Sequence, residues 1–316
     1  MKNFRQWIPT LVVALAALTA LGIAKCASAQ ELIVATGNLQ TGTYSKMFTE
    51  ITRYCQPSTI GIMIKQQQTT GSVENLSLLL DNKVNGAWVQ SDMLFLRKAQ
   101  DKSKTEPIKT LVGLHPEELH FVARADTKTE GGVSLGKFNV GGSKVTFNTL
   151  GDLRGRAVGA VGGSFVSLQL VSQNAGLDLQ PVEFPNNDAL KAALLGGQID
   201  AALIVGGAPH PVVASLTKQF RLLPVGQDTA MKLKDVYDPI LVSYDNLGQA
   251  SVPTLATQAL FVSRLYSSEK MNATLGKLRK CIKDNIPELK DALGTHPKWQ
   301  AVTVENDGKW PLYPVK

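Results

Sequence analysis

A helix–turn–strand unit that occurs twice is what most limits the fold of this chain. In Asp188–Pro211, Leu190, Ala193 and Leu194 fall at i, i+3, i+4 and predict a short amphipathic helix. Gly196-Gly197 ends it, because glycine takes the left-handed C-cap conformation without a Cβ clash. Ile199–Val205 then runs apolar without alternation, as a strand buried on both faces does, and empties into the loop Gly206-Gly207-Ala208-Pro209. Ser72–Asp92 repeats the order. Leu76, Leu79 and Leu80 share a helix face, Asp81-Asn82-Lys83 makes the turn, and the strand Val84–Val89 ends on Gln90-Ser91-Asp92. The copies lie about 114 residues apart, too far for a stacked array and right for two similar α/β lobes. Open α/β sheets bind ligands at the carboxyl ends of their strands, so two lobes with facing loops predict a cleft.

A chain of 316 residues, 44% hydrophobic and 19% charged, has room for two such domains. Lys2 and Arg5 precede the apolar run Ile8–Ala24, and Ala27-Ser28-Ala29 supplies an A-x-A site before Gln30. That order predicts a signal peptide over residues 1–29 and a periplasmic chain, with a membrane anchor as the rival reading. Lys25 sits where a lipidated Cys26 would want a small residue. Cleavage removes three cations and takes the net charge from +7 to about +4. No run of Lys and Arg interleaves with aromatics, so nucleic acid is not an expected partner. Lys98–Lys109, with Asp101 and Glu106 mixed in, reads as a solvated loop. Cys55 and Cys281 remain after cleavage. An even count in an oxidising compartment predicts their pairing, and two separate buried thiols are the alternative.

A second kind of unit is also duplicated. Leu32–Ala35 opens on the glycine loop through Thr36 and Gly42 to Tyr44, before a helix carrying Met47, Phe48 and Ile51. Arg156–Ala160 opens on Val161-Gly162-Gly163-Ser164-Phe165, before a helix Ser167–Asn174 closed by Gly176. Strand, glycine loop and helix aim backbone N–H groups and a helix dipole at an anion. Neither loop has Walker or G-x-G-x-x-G spacing, so no nucleotide cofactor is expected. Ile60–Ile64 reads as a strand and Ser72 as an N-cap. Leu111–Gly113 and Leu119–Ala123 read as two strands divided by His115-Pro116-Glu117-Glu118. His115 and His120, five apart across a proline turn, share no helix or strand face, so no metal site is expected.

Residues 127–148 read as an exposed excursion and Asn148–Leu153 as a capped turn. Leu222–Val225 and Leu255–Val262 are apolar strand runs. Met271–Ile282 is a helix with Leu275, Leu278 and Ile282 inward, and a tail with Trp299 and Trp310 covers a lobe. The chain has no G-x-S-x-G elbow and no C-x-x-C, so no catalytic residue is assigned.

Several blocks fall in the order seen in TAXI proteins, the extracytoplasmic solute receptors of one class of TRAP (tripartite, ATP-independent, periplasmic) transporter. They are Thr36-Gly37-Asn38 with Gly42-Thr43-Tyr44, Thr70-Gly71-Ser72-Val73-Glu74-Asn75-Leu76, Val89-Gln90-Ser91-Asp92, Pro116-Glu117-Glu118-Leu119-His120, Asp152-Leu153-Arg154-Gly155 and Gly197-Gln198-Ile199-Asp200-Ala201. The chain resembles that family over nearly all of its mature length. The resemblance implies an α/β, two-lobed, type II periplasmic-binding-protein-like fold that closes on a small carboxylate-containing or amino-acid-like solute. It also implies delivery to TRAP membrane permease subunits by a monomeric receptor. Family members with known ligands take glutamate or 2-oxo acids.

By matching position, the resemblance implies ligand contacts from Thr36, Asn38, Thr43 and Tyr44, then Ser72 and Asn75, then Gln90 and Asp92. From the other lobe come Gly163, Ser164 and Phe165, then Gly206 and Gly207. Two of these have bland alternatives: Asp92 as a helix N-cap and Tyr44 as a core residue. The second-lobe loop departs from the family's Gly-Ser-Gly-Thr, and Asn38 stands where a serine is common, which moves the expected solute away from glutamate. The lobes are expected at residues 30–119 plus 246–316 and at 120–245, hinged near His120 and near Ile240–Tyr244. A ligand-sensing adaptor and an exported enzyme are the alternatives. For the enzyme, Asp92 and Glu74 are the only acids in position.

Overall fold

Apolar strands alternating with amphipathic helices build one ten-stranded mixed sheet covered on both faces, with two small two-stranded sheets beside it. The computed structural model describes residues 31–314 except 41, 127, 131–132, 136–137 and 141–142. The expected signal peptide lies outside the described residues.

The first part of the chain forms β1 (Glu31–Gly37), α1 (Thr43–Tyr54), α2 (Pro57–Ile60), β2 (Met63–Gln68), α3 (Ser72–Leu80), β3 (Gly86–Gln90), α4 (Ser91–Gln100) and α5 (Lys102–Thr105). The long strand β4 (Ile108–Arg124) follows, then the short strands β5 (Lys128–Glu130), β6 (Val133–Leu135), β7 (Phe138–Val140) and β8 (Ser143–Val145). The second part forms β9 (Ala157–Val161), α6 (Gly163–Ala175), β10 (Gln180–Phe184), α7 (Asn187–Leu195) and β11 (Ala201–Gly206). It continues through α8 (Pro211–Ala214), β12 (Phe220–Leu222), α9 (Gln227–Leu233) and β13 (Asp238–Tyr244). A second long strand, β14 (Gln249–Arg264), and the helix α10 (Glu269–Asp291) complete it.

The sequence repeat is visible in the topology. The strand order is β10-β9-β11-β4-β14-β3-β1-β2, with β12 on β4 and β13 on β14. Each flank is a parallel trio whose first strand is central: β2-β1-β3 at one end and β10-β9-β11 at the other. Two antiparallel long strands, β4 and β14, join the trios; β4 pairs with β11 and β14 pairs with β3. Each half keeps its own core. Trp88, Phe48, Phe261 and Tyr44 stack ring against ring in the first, with Leu275, Leu278 and Trp299 beside them. Phe121, Leu168, Val171, Leu203 and Tyr237 fill one face of the second, and Leu190, Leu194, Ile204 and Tyr244 the other. Each such side chain contributes about 1.5–3 kcal/mol on burial.

Several boundaries differ from the sequence expectations, each for a local reason. Leu111–Gly113 and Leu119–Ala123 belong to one strand that runs through Pro116. The register with β14 slips between Gln258 and Leu260, opposite Pro116 and Gly113. The proline therefore sits where the ladder is already interrupted, which is where a strand tolerates a missing N–H. Ile60 ends the short helix α2, and the strand starts later, at Met63. Lys98–Lys109 is mostly helical, since Asp101 caps α5 by accepting from Ser103 N and Lys104 N. The N-cap of α3 is Gly71, and Ser72 is the first helical residue. Ile240–Tyr244 lies in β13, which pairs along β14, and β4 and β14 both run between the two trios.

Other expectations hold. Gly197 and Gly176 take positive φ at helix ends, and Thr149 with Asp152 makes a capping box at the 3-10 turn Leu150–Leu153. Trp299 and Trp310 of the tail are both buried. Cys55, at the end of α1, and Cys281, within α10, form a disulfide with Cα atoms 5.8 Å apart.

Candidate functional site

Of the helices that begin after a glycine, three face one region: α1 after Gly42, α3 after Gly71 and α6 after Gly162. No side chain caps any of the three, so their first-turn N–H groups and the positive ends of their dipoles are left to whatever lies in front. Gly71 at φ 131° and Gly162 at φ 50° hold backbone conformations that a side chain would strain. In front of all three lies one cavity of about 780 Å³. The carboxyl ends of β1, β3, β9, β10 and β11 surround it, as the position of a ligand site in an open α/β sheet requires.

Eight of the residues assigned by resemblance line this cavity: Thr36, Asn38, Thr43, Tyr44, Ser72, Gln90, Gly163 and Ser164. The Thr36 hydroxyl and the Tyr44 phenol are buried there and make no well-formed hydrogen bond within the protein, the phenol lying near Ser72 and Glu117. Buried polar groups are normally paired, so two orphans facing one cavity mark it as a place where a ligand completes the set. Burial above all, and then the charge of Glu117, holds the Tyr44 phenol well above its usual range. It therefore remains a donor at neutral pH. The halves approach closely at Gly163, where an added Cβ would lie 2.4 Å from Gln90 Oε1 and 3.0 Å from Met93 Cε. Ser164 Oγ accepts from Val205 N at 2.9 Å, tying the start of α6 to the end of β11.

The other five assigned residues do not line the cavity. Asn75 faces inward from α3; its amide donates to Trp88 O at 2.7 Å and its carbonyl accepts from Thr69 Oγ1, fastening the helix to β3. Asp92 is wholly buried between α4 and the second half, where Oδ2 accepts from Ser167 Oγ at 2.5 Å and from Tyr237 OH at 2.9 Å. Phe165, one residue along α6 from Ser164, is turned into the second-half core. Gly206 and Gly207 make room for neighbours: an added Cβ would lie 2.7 Å from the His210 ring and 2.2 Å from Lys298 Cε, respectively. Neither acid of the enzyme alternative reaches the cavity. Asp92 is the buried acceptor just described, and Glu74 accepts from Thr70 N and Thr70 Oγ1.

Sequence reasoning missed Glu117, Glu183 and His210, which do line the cavity. Read as one unbroken strand, His115 to His120 would have put His115 and Glu117 on one face and Glu118 and His120 on the other. The structure bears that signal out: His115 Nε2 lies 3.5 Å from Glu117 Oε1. On the other face, burial holds His120 down at about 4. Neutral His120 pairs through Nδ1 with Ile204 O at 3.0 Å and through Nε2 with Tyr244 OH at 2.9 Å. Tyr244 OH in turn accepts from His210 N at 2.7 Å, which fixes the loop carrying His210. Glu183 stands exposed at the end of β10, at the rim.

Two βαβαβ units joined by two long antiparallel strands around a cleft define an α/β fold of the two-lobed, type II periplasmic-binding-protein kind. The chain belongs to the NMT1-like family, whose model matches residues 34–314. Similar solved structures include the arginine-bound, truncated ArgBP of T. maritima, 12% identical over 80% of this chain and 95% of that one, with a TM-score of 0.45. An amino acid ABC transporter substrate-binding protein, AbpA of Streptococcus pneumoniae, bound to L-arginine, is 13% identical over 86% of this chain and 95% of that one, TM-score 0.47. A protein of Xanthomonas citri bound to ATP is 12% identical over 86% and 89%, TM-score 0.48.

Proposed function

We propose that the chain is an exported, periplasmic solute receptor of the TAXI type, which closes on a small carboxylate-containing solute and delivers it to TRAP membrane permease subunits. In this reading the lobes are residues 30–119 plus 246–316 and residues 120–245, joined through β4 and β14. The observation that supports it most is the convergence of three uncapped helix starts, α1 and α3 from one half and α6 from the other, on one cavity. A carboxylate there is met by neutral N–H and hydroxyl donors, each worth about 0.5–1.5 kcal/mol net, so several act together.

The decisive experiment is native mass spectrometry of protein purified without denaturation, followed by calorimetry against small acids and amino acids. A chain that neither carries nor binds any small solute is not a receptor. Once the solute is in hand, Thr36→Val and Tyr44→Phe test the placement of the site. Each deletes a hydroxyl that makes no well-formed hydrogen bond within the protein, so the melting temperature of the ligand-free chain should hardly move. Affinity should fall about tenfold in each, roughly 1.4 kcal/mol. Ser164→Ala should differ, because it also strands Val205 N and so lowers stability by about 1 kcal/mol. Unchanged affinity in both Thr36→Val and Tyr44→Phe would move the site elsewhere.

A further inference from the structure

We infer that the solute carries a protonated nitrogen, held by Glu117, in addition to its carboxylate; the inference rests on the receptor reading above. Among the described residues lining the cavity there is no lysine and no arginine, while two carboxylates, Glu117 and Glu183, face it. The two lie at different depths. Glu117 is buried on β4 beside its register irregularity, and Glu183 stands exposed at the rim.

The neighbouring acid and base account for each other. Glu118 accepts from Ala208 N at 2.6 Å, and the Lys298 ammonium donates to Ala208 O from behind the loop, against Gly207. Around Ala208 these two charges offset one another, and Lys298 acts also on Glu117, the buried acid that lines the cavity. Its nearest basic neighbour is His115, with Nε2 3.5 Å away. Burial keeps His210 below its usual range, with the charge of Glu117 opposing. Buried beside one imidazole and the Tyr44 phenol, this acid gains charge-assisted hydrogen bonds from a ligand nitrogen that bears protons.

The cleft is therefore bipolar. Helix starts and hydroxyls suit a carboxylate, and Glu117, with Glu183 at the entrance, suits an ammonium, amidinium or guanidinium. An amino-acid-like zwitterion matches both ends, with Val161, Phe184 and Val205 offering an apolar wall to the remainder. A 2-oxo acid sets its negative charge against two carboxylates, and a dicarboxylate does so twice.

The test uses the mature full-length chain and calorimetry with the twenty standard amino acids, each paired with its 2-oxo acid. At least one amino acid is expected to bind, with its 2-oxo acid roughly 100-fold weaker or silent. Glu117→Gln should weaken the amino acid by roughly 100-fold, whereas Glu183→Gln, at the exposed rim, should weaken it by less than about fivefold. The wild-type pair comparison needs no variant and stands if Glu117→Gln fails to fold. The solute found by native mass spectrometry should likewise bear a protonated nitrogen. A 2-oxo acid that binds as tightly as its amino acid, a co-purified solute without such a nitrogen, or binding indifferent to Glu117→Gln overturns the inference and leaves the receptor intact. No solute of any class, bound or co-purified, removes the receptor and the inference together.

Discussion

Replacing Cys55 and Cys281 together by alanine is expected to lower the stability of the folded chain by about 5 kcal/mol. The two residues are 226 apart in sequence, so the bond closes most of the chain into one loop. In the chain-entropy account, closing a loop that long removes on the order of 5 kcal/mol of freedom from the unfolded ensemble. The bond joins the end of α1 to the middle of α10, and thereby fastens the last helix to the first. Packing alone holds the same two helices through Phe48, Ile51, Leu275, Leu278 and Ile282, so the variant should still fold. Both sulfurs are nearly buried, and alanine avoids leaving a hydroxyl there without a partner. Guanidinium denaturation of the oxidised chain, the reduced chain and the double variant should give one high and two matching low values. A loss below about 1 kcal/mol would mean that the unfolded chain is already compact around this pair. Solute affinity should be unchanged in the folded variant, because neither cysteine lines the cavity.

What could be read from the sequence is what is encoded locally. Glycine loops and helical spacings are short-range signals, so both copies of the βαβαβ unit were legible, and with them two of the three helix starts in front of the cavity; the third, α3, was expected to be capped by Ser72 and starts after Gly71 instead. Pro116 is also a short-range signal, and there it misled, because the register slip that accommodates it depends on β14, some 140 residues away. The same slip hid Glu117, whose direction follows only from an unbroken β4. Resemblance to a family carried positions but not the directions of side chains. Ser72 and Asn75 are one helical turn apart, and Ser164 and Phe165 are adjacent, yet within each pair only the first faces the cavity. For Gly206 and Gly207 the structure supplies a further reason for glycine, the crowding of His210 and Lys298.

Asp92 provides the second large effect, on stability as a function of pH. Burial raises its carboxyl to about 6, against the lowering effect of hydrogen bonds from Ser167 and Tyr237 and with some help from the charge of Glu117. One of its oxygens, Oδ1, is buried without a partner. A carboxyl that titrates near 6 when folded and near its ordinary 3.8 when unfolded binds its proton more tightly in the folded state. Stability from this group is therefore greatest below about pH 4 and is lost as pH rises through about 6, by on the order of 3 kcal/mol. This is the reverse of a salt-bridged carboxylate, and it runs against ordinary acid denaturation. Glu118 is also raised by burial, so the wild-type profile alone does not isolate Asp92. The difference from Asp92→Asn does, because the asparagine carbonyl still accepts from Ser167 and Tyr237 but carries no charge. At pH 7.5 the variant should be more stable by about 1–2 kcal/mol, less than the full amount because its amide nitrogen takes the place of the orphaned oxygen. Between pH 7.5 and pH 4.5 the wild type should gain on the variant by about 2 kcal/mol in guanidinium denaturation. Parallel profiles would show that Asp92 titrates in its ordinary range and that water or motion relieves its burial. Asp92 comes from the first βαβαβ half, while Ser167 and Tyr237 come from the second, so this carboxyl bridges the two parts that form the cleft. Its proton is then coupled to how firmly the halves are held together, and affinity for the solute should follow the same pH window in the wild type and not in the variant.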